Sequence, residues 1–186
     1  MNLVHETLRY VGMGYFGLPD EERDLQLTMD KAHLYYRWGS QSGRKGDFAQ
    51  AFEAYGSLPD EKLVKPEKVL EKYEHLLEIG LDLLRLELKE AAAGFGFLSE
   101  NRLRIELREI SFPSELEARM GGYMDKEEKL QTRLDEIKNS FMQIALGEEH
   151  KERRKRALEH FEGERRAVNQ GIDAFYGRVR EYVASS

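Results

Sequence analysis

From Leu116 onward, apolar side chains recur at alternating steps of four and three residues: Leu116, Met120, Tyr123, Leu130, Leu134, Ile137, Phe141 and Ile144, with Glu127 the one polar occupant of the track. That period fits an α-helix with a single narrow apolar seam. The rule resumes beyond Gly147 in Leu158, Phe161, Val168, Ile172, Phe175, Val179 and Tyr182, with Arg165 its polar exception, but the phase has slipped. Continuing the first track through the interval would place Glu148, Lys151 and Lys155 on it. A charged interval and a phase slip predict two antiparallel helices of about 30 residues each, joined near 147–151. One uninterrupted helix of about 100 Å is the alternative. A fold-back over 114–184 should bring Glu127 near Arg165. Phe141, Phe161, Phe175 and Tyr176 add more apolar area than two helices bury between themselves. The seam is therefore expected to stay partly exposed and to meet a partner or a second copy.

The rest of the chain is also helix-rich in composition. Charged residues make up 34%, and proline occurs only at positions 19, 59, 66 and 113, so the class is mainly α, a helical bundle. With 186 residues it can bury a core unaided. It has no cysteine, which excludes disulfide scaffolds, thiolate metal sites and cysteine nucleophiles. The net charge of −6 argues against a dedicated nucleic-acid binder. The run EEHKERRKR at 148–156 mixes acids among its cations, so it reads as a salt-bridged hairpin tip. His5, Glu6 and Arg9 interrupt the only apolar stretch near the N-terminus, and no membrane-length apolar run follows, so a cytoplasmic protein without membrane insertion is expected. The expected organisation is a helical core over 1–112 and the hairpin over 113–186, packed on that core or projecting from it.

Residues 1–18 read as a short helix and a glycine-interrupted turn. A helix should then run from Pro19 to about Ser42, with Asp20, Glu21 and Glu22 favouring its N-terminus. It carries one stripe of Leu25, Met29, Ala32, Tyr36 and Gly39 and a second of Leu27, Leu34 and Trp38, which predicts packing on both sides. Gly43 suits the left-handed position that ends a helix, and Asp47 with Gln50 reads as the capping box of the next. Arg44 and Lys45 read as surface cations whose joint neutralisation should cost less than about 0.5 kcal/mol. The stretch AHLYYRWGSQSGRKGDFAQAFEAYGSL resembles one tetratricopeptide repeat, through Tyr35, Trp38 and Gly39 on the first helix, Gly46, Asp47 and Phe48 at the turn, and Ala51 and Tyr55 on the second. The resemblance covers residues 32–58, Ser42 stands where the pattern has an aromatic, and no second repeat follows, so a solenoid is not expected. It implies a close crossing at Gly39 and Ala51 and suggests peptide binding beside Tyr35, Tyr36 and Trp38.

Pro66 opens a helix of roughly 25 residues, apolar nearly all round, with one polar stripe of Glu71, Glu74, His75, Glu78, Asp82, Arg85 and Lys89. This is the expected central core helix. The stripe carries cations and lacks a Glu-x-x-His pair, so no metal is expected there. Residues 94–113 fit a helix behind Ser99 or a two-stranded hairpin. No face gathers the His, Ser, Lys and carboxylate groups of a reaction centre. The sequence thus reads as a non-catalytic interaction module, an adaptor, chaperone or assembly subunit, with no cofactor. Its expected partner-binding residues are Tyr35, Trp38, Phe141, Phe161, Phe175 and Tyr176, and the alternative is an all-α enzyme acting on a nucleotide or other phosphorylated small molecule.

Overall fold

A computed structural model describes residues 18–96 and 113–185. The expectations for the N-terminal turn and for 97–112 lie outside the described residues. Helix α1 spans Asp20–Ser42 behind Pro19, with the three acids in its first turn. It ends at Gly43, whose φ of 67° places its amide 2.8 Å from the Gly39 carbonyl, a left-handed cap open to a residue without Cβ. Helix α2, Lys45–Gly56, starts without the expected capping box: its N-cap is Arg44, and Asp47 instead accepts a 3.0 Å hydrogen bond from Ser42 Oγ. That oxygen also accepts from the Arg44 amide, so the turn is tied from the α1 side.

The α1–α2 crossing is as close as the small residues imply. The Phe48 ring lies on Gly39, where a Cβ would come 2.9 Å from its carbons, and Ala51 is fully buried. Of the two α1 stripes, the described core includes only the first. Met29 and Ala32 are buried and Leu25 and Tyr36 pack at its margin, whereas Leu27, Leu34 and Trp38 are half-buried and stand outside it.

A 3₁₀ turn at Asp60–Lys62 leads to α3, Pro66–Gly94, whose leucines make it the central element. The turn is anchored by a buried lysine that the sequence did not single out. Lys72 Nζ donates to the Leu58 carbonyl and to Asp60, 2.6 Å each, and the Tyr73 hydroxyl donates to the other Asp60 oxygen at 2.7 Å.

Helices α4, Pro113–Gln143, and α5, Glu148–Ser185, form the expected hairpin. Cross-links converge on one turn: Gln131 meets Asn169, Asp135 meets Arg165, and Lys138 meets Glu162. The Arg154 guanidinium closes the tip by donating to the carbonyls of Phe141 (3.2 Å) and Ile144 (2.7 Å). The hairpin lies along α3, antiparallel through α4, where Gly80 admits Leu134, and it shares one core with α1–α3. Glu127 and Arg165 lie near each other, as the fold-back requires, and line one groove, although each bonds elsewhere: Glu127 takes Tyr176, while Arg165 takes Gln131 and Asp135, one and two helical turns further along α4. One expectation needs correction: the aromatics expected to leave apolar area for a partner, Phe141, Phe161, Phe175 and Tyr176, are all buried, while Leu130, Ile137, Leu158 and Ile172 of the seams stay half-buried. No helix among the described residues is long and apolar enough to cross a membrane.

Candidate functional site

Two salt bridges fix how α5 runs beside α3. Arg153 grips Glu74 with both carboxylate oxygens engaged, at 2.8 and 2.5 Å. Arg85 donates to Glu164 at 2.5 Å and to Asp82 at 2.8 Å. Both inter-helix pairs are 79 residues apart, so the helices are parallel and in constant register over the eleven residues between them, roughly 16 Å of axis. Each contributes the same stripe: Glu74, Leu77, Glu78, Leu81, Asp82 and Arg85 from α3, and Arg153, Arg156, Ala157, His160, Phe161 and Glu164 from α5. The result is an open groove of about 610 Å³.

Its floor is apolar and shut, since Leu77, Leu81 and Phe161 are almost fully buried. Its α3 wall is acidic and its α5 wall mainly basic, and between the two end ties Glu78 and Asp82 face Arg156 and His160. The His75 imidazole beside Glu78 draws that carboxyl below the usual carboxylate range, more than burial pushes it up. At 3.7 Å this contact is electrostatic, and His75 Nδ1 is buried without a hydrogen-bond partner. Burial pushes Asp82 up, opposed by Arg85. Burial and neighbouring Glu78 also push the Tyr36 phenol up, so Tyr36 of α1 stands next to Glu78. Behind Glu78 the His75 ring sits among Tyr55 (5.1 Å between centroids), Tyr36 (5.5 Å) and His33 (6.0 Å).

Of the residues expected from sequence to bind a partner, Tyr35 and Trp38 lie half-buried on α1, with the Lys31 ammonium 6.0 Å from the Tyr35 ring. Phe141 stacks on Tyr73 in the core at 5.1 Å, and Phe161 forms groove floor. Phe175 and Tyr176 pack edge to face with each other, Phe175 also against Phe95. These four therefore hold the hairpin to α3 and present no free ring to a partner. The groove residues Glu78, Asp82, Arg156 and His160 escaped the sequence reading as a site. Their helical spacing was visible, but only the parallel pairing of α3 with α5 makes two solvated stripes into facing walls.

The lining holds carboxylates, arginines and one histidine, and no Ser, Thr, Cys or Lys. Arg85 and Arg153 are already held by carboxylates, which leaves Arg156 as the groove's most exposed arginine. What the walls can do is pair opposite charges on a long, shallow ligand. No family model, curated protein or solved structure matches the chain.

Proposed function

We propose that this chain is a non-catalytic helical interaction module that binds a protein segment of alternating charge along the α3/α5 groove, with α1 at its edge. The observation that carries the reading is the pair of oppositely charged walls. Glu78 and Asp82 suit cations on the ligand, and Arg156 and His160 suit anions a helix diameter away. Rim charges of this kind set register and specificity more than raw affinity, as an adaptor or assembly subunit requires. The tetratricopeptide-like pair over 32–58 points the same way, as peptide binding is what that resemblance implies. A cytoplasmic setting is part of the proposal.

Reversing single wall charges tests it. The protein that co-purifies with the wild type should bind Glu78→Lys and Arg156→Glu at least about tenfold more weakly, with each variant still folded cooperatively. Unweakened binding in both folded variants contradicts the proposal. Stabilisation of the wild type by several degrees with a nucleotide or divalent ion, abolished by either reversal, would establish the enzyme reading instead.

A further inference from the structure

Glu127 is the polar residue at which the α4 seam departs from its own pattern, and only 4% of it is exposed. Its hydrogen bond comes from the Tyr176 hydroxyl, at 3.3 Å. Among the described residues no cation pairs with it. From α3 it faces Glu87, a second buried carboxylate, whose charge is taken by Lys45 of α2 and whose Oε2 is buried with no hydrogen-bond partner. From α5, the groove of about 320 Å³ that Glu127 lines also holds Arg165, Asp173, Tyr176 and Arg180, with Glu128 and Gln131 from its own helix. Arg165 is committed to Gln131 and Asp135, and Arg180 touches the Met124 sulfur at 3.9 Å. Tyr123, one turn before Glu127 on α4, packs against Phe95.

Tyr176 links this carboxyl to a separate, smaller core. Ala91, Phe95, Leu116, Phe175, Tyr176 and Val179 form it, where the ends of α3 and α5 meet the start of α4, away from the hairpin tip. A satellite cluster of this size opens at lower cost than the main core. We propose that Glu127 is a proton-operated latch: neutral, it keeps the open end of the α4/α5 hairpin closed on α3, and ionised, it releases the Phe175–Val179 stretch of α5. The anion pairs with no cation among the described residues, stands beside Glu87, and is more fully hydrated once the helices part. Burial pushes Glu127 up to about 7, with Glu87 adding to the rise. Its folded value lies above its unfolded one, so the latch is strongest at low pH and weakens as pH rises from about 4.5 through about 7.

Amide hydrogen exchange, corrected for intrinsic rates, reads the latch directly. Between pH 5 and pH 8, protection over 171–183 in the wild type should fall by at least about tenfold, while 76–84 in α3 changes little. In Glu127→Gln, which stays neutral, the fall should disappear. The same fall in both proteins, or an equal fall in α3, overturns the latch. Should Glu127→Gln fail to fold, the wild-type profile is decided together with a carbon-13 titration of the Glu127 carboxyl, and a midpoint below 5 overturns it.

Discussion

Lys45 shows how one side chain can change meaning between chain and fold. In sequence it is a loop cation beside Arg44. In the structure its ammonium reaches α3 and pairs with Glu87 and, at 2.8 Å, with Glu90. Glu87 is buried, so removing Lys45 strands a carboxylate with little water to receive it. Lys45→Ala should therefore cost about 1–3 kcal/mol in denaturant unfolding, while Arg44→Ala, at an exposed position, should cost less than about 0.5 kcal/mol. The joint neutralisation of Arg44 and Lys45 is accordingly expected to exceed about 0.5 kcal/mol, through Lys45. Gly39 is a steric case: Gly39→Leu must displace the Phe48 ring and should destabilise by about 1–3 kcal/mol in the same assay. These costs arise from contacts across helices, which spacing along one helix does not disclose.

At the level of single elements, most boundaries were legible because they rest on local chemistry. Pro19 and Pro66 start helices and Gly43 stops one, whereas the joint expected near 147–151 lies at 144–147, a few residues earlier. The capping box at Asp47 and Gln50 failed because the helix begins three residues earlier, with Arg44 as its N-cap, leaving Asp47 to bind Ser42. Within EEHKERRKR, the charges have distinct jobs: Arg153 ties α5 to α3, and Arg154 satisfies carbonyls at the end of α4. Arg154→Ala should lower stability by about 1–2 kcal/mol, and exposed Lys155→Ala should leave it within about 0.5 kcal/mol, both read from denaturant midpoints. Further along the hairpin, Arg165 holds Asp135 below the usual carboxylate range. That stability is present above the unfolded value, near 3.8, and is lost as pH falls through the lower folded one. Asp135→Asn should flatten the acid limb of the unfolding curve, measured between pH 5 and pH 2.

At the level of the whole molecule, the groove exists only because the hairpin folds back. Residue 80 of α3 meets 134 of α4 in an antiparallel crossing, and the turn at 144–147 then sends α5 parallel to α3. The sequence disclosed the two seams and the turn between them. It could not disclose which surface would bury them, because Phe141, Phe161 and Phe175 look alike whether they meet α3 or another molecule. The answer lies in α3, apolar nearly all round, which covers both seams and leaves charged stripes facing each other. A spin-label distance between Lys89 on α3 and Gln170 on α5, both exposed, tests that arrangement most directly. The constant register of the two helices predicts a distance of roughly 10–20 Å, given helix axes about 8–10 Å apart and flexible labels. A straight α4–α5 rod on the same antiparallel crossing would carry residue 170 some 45 residues past the point opposite Lys89, roughly 65 Å away, and a distance near that value would contradict the fold-back and the groove with it.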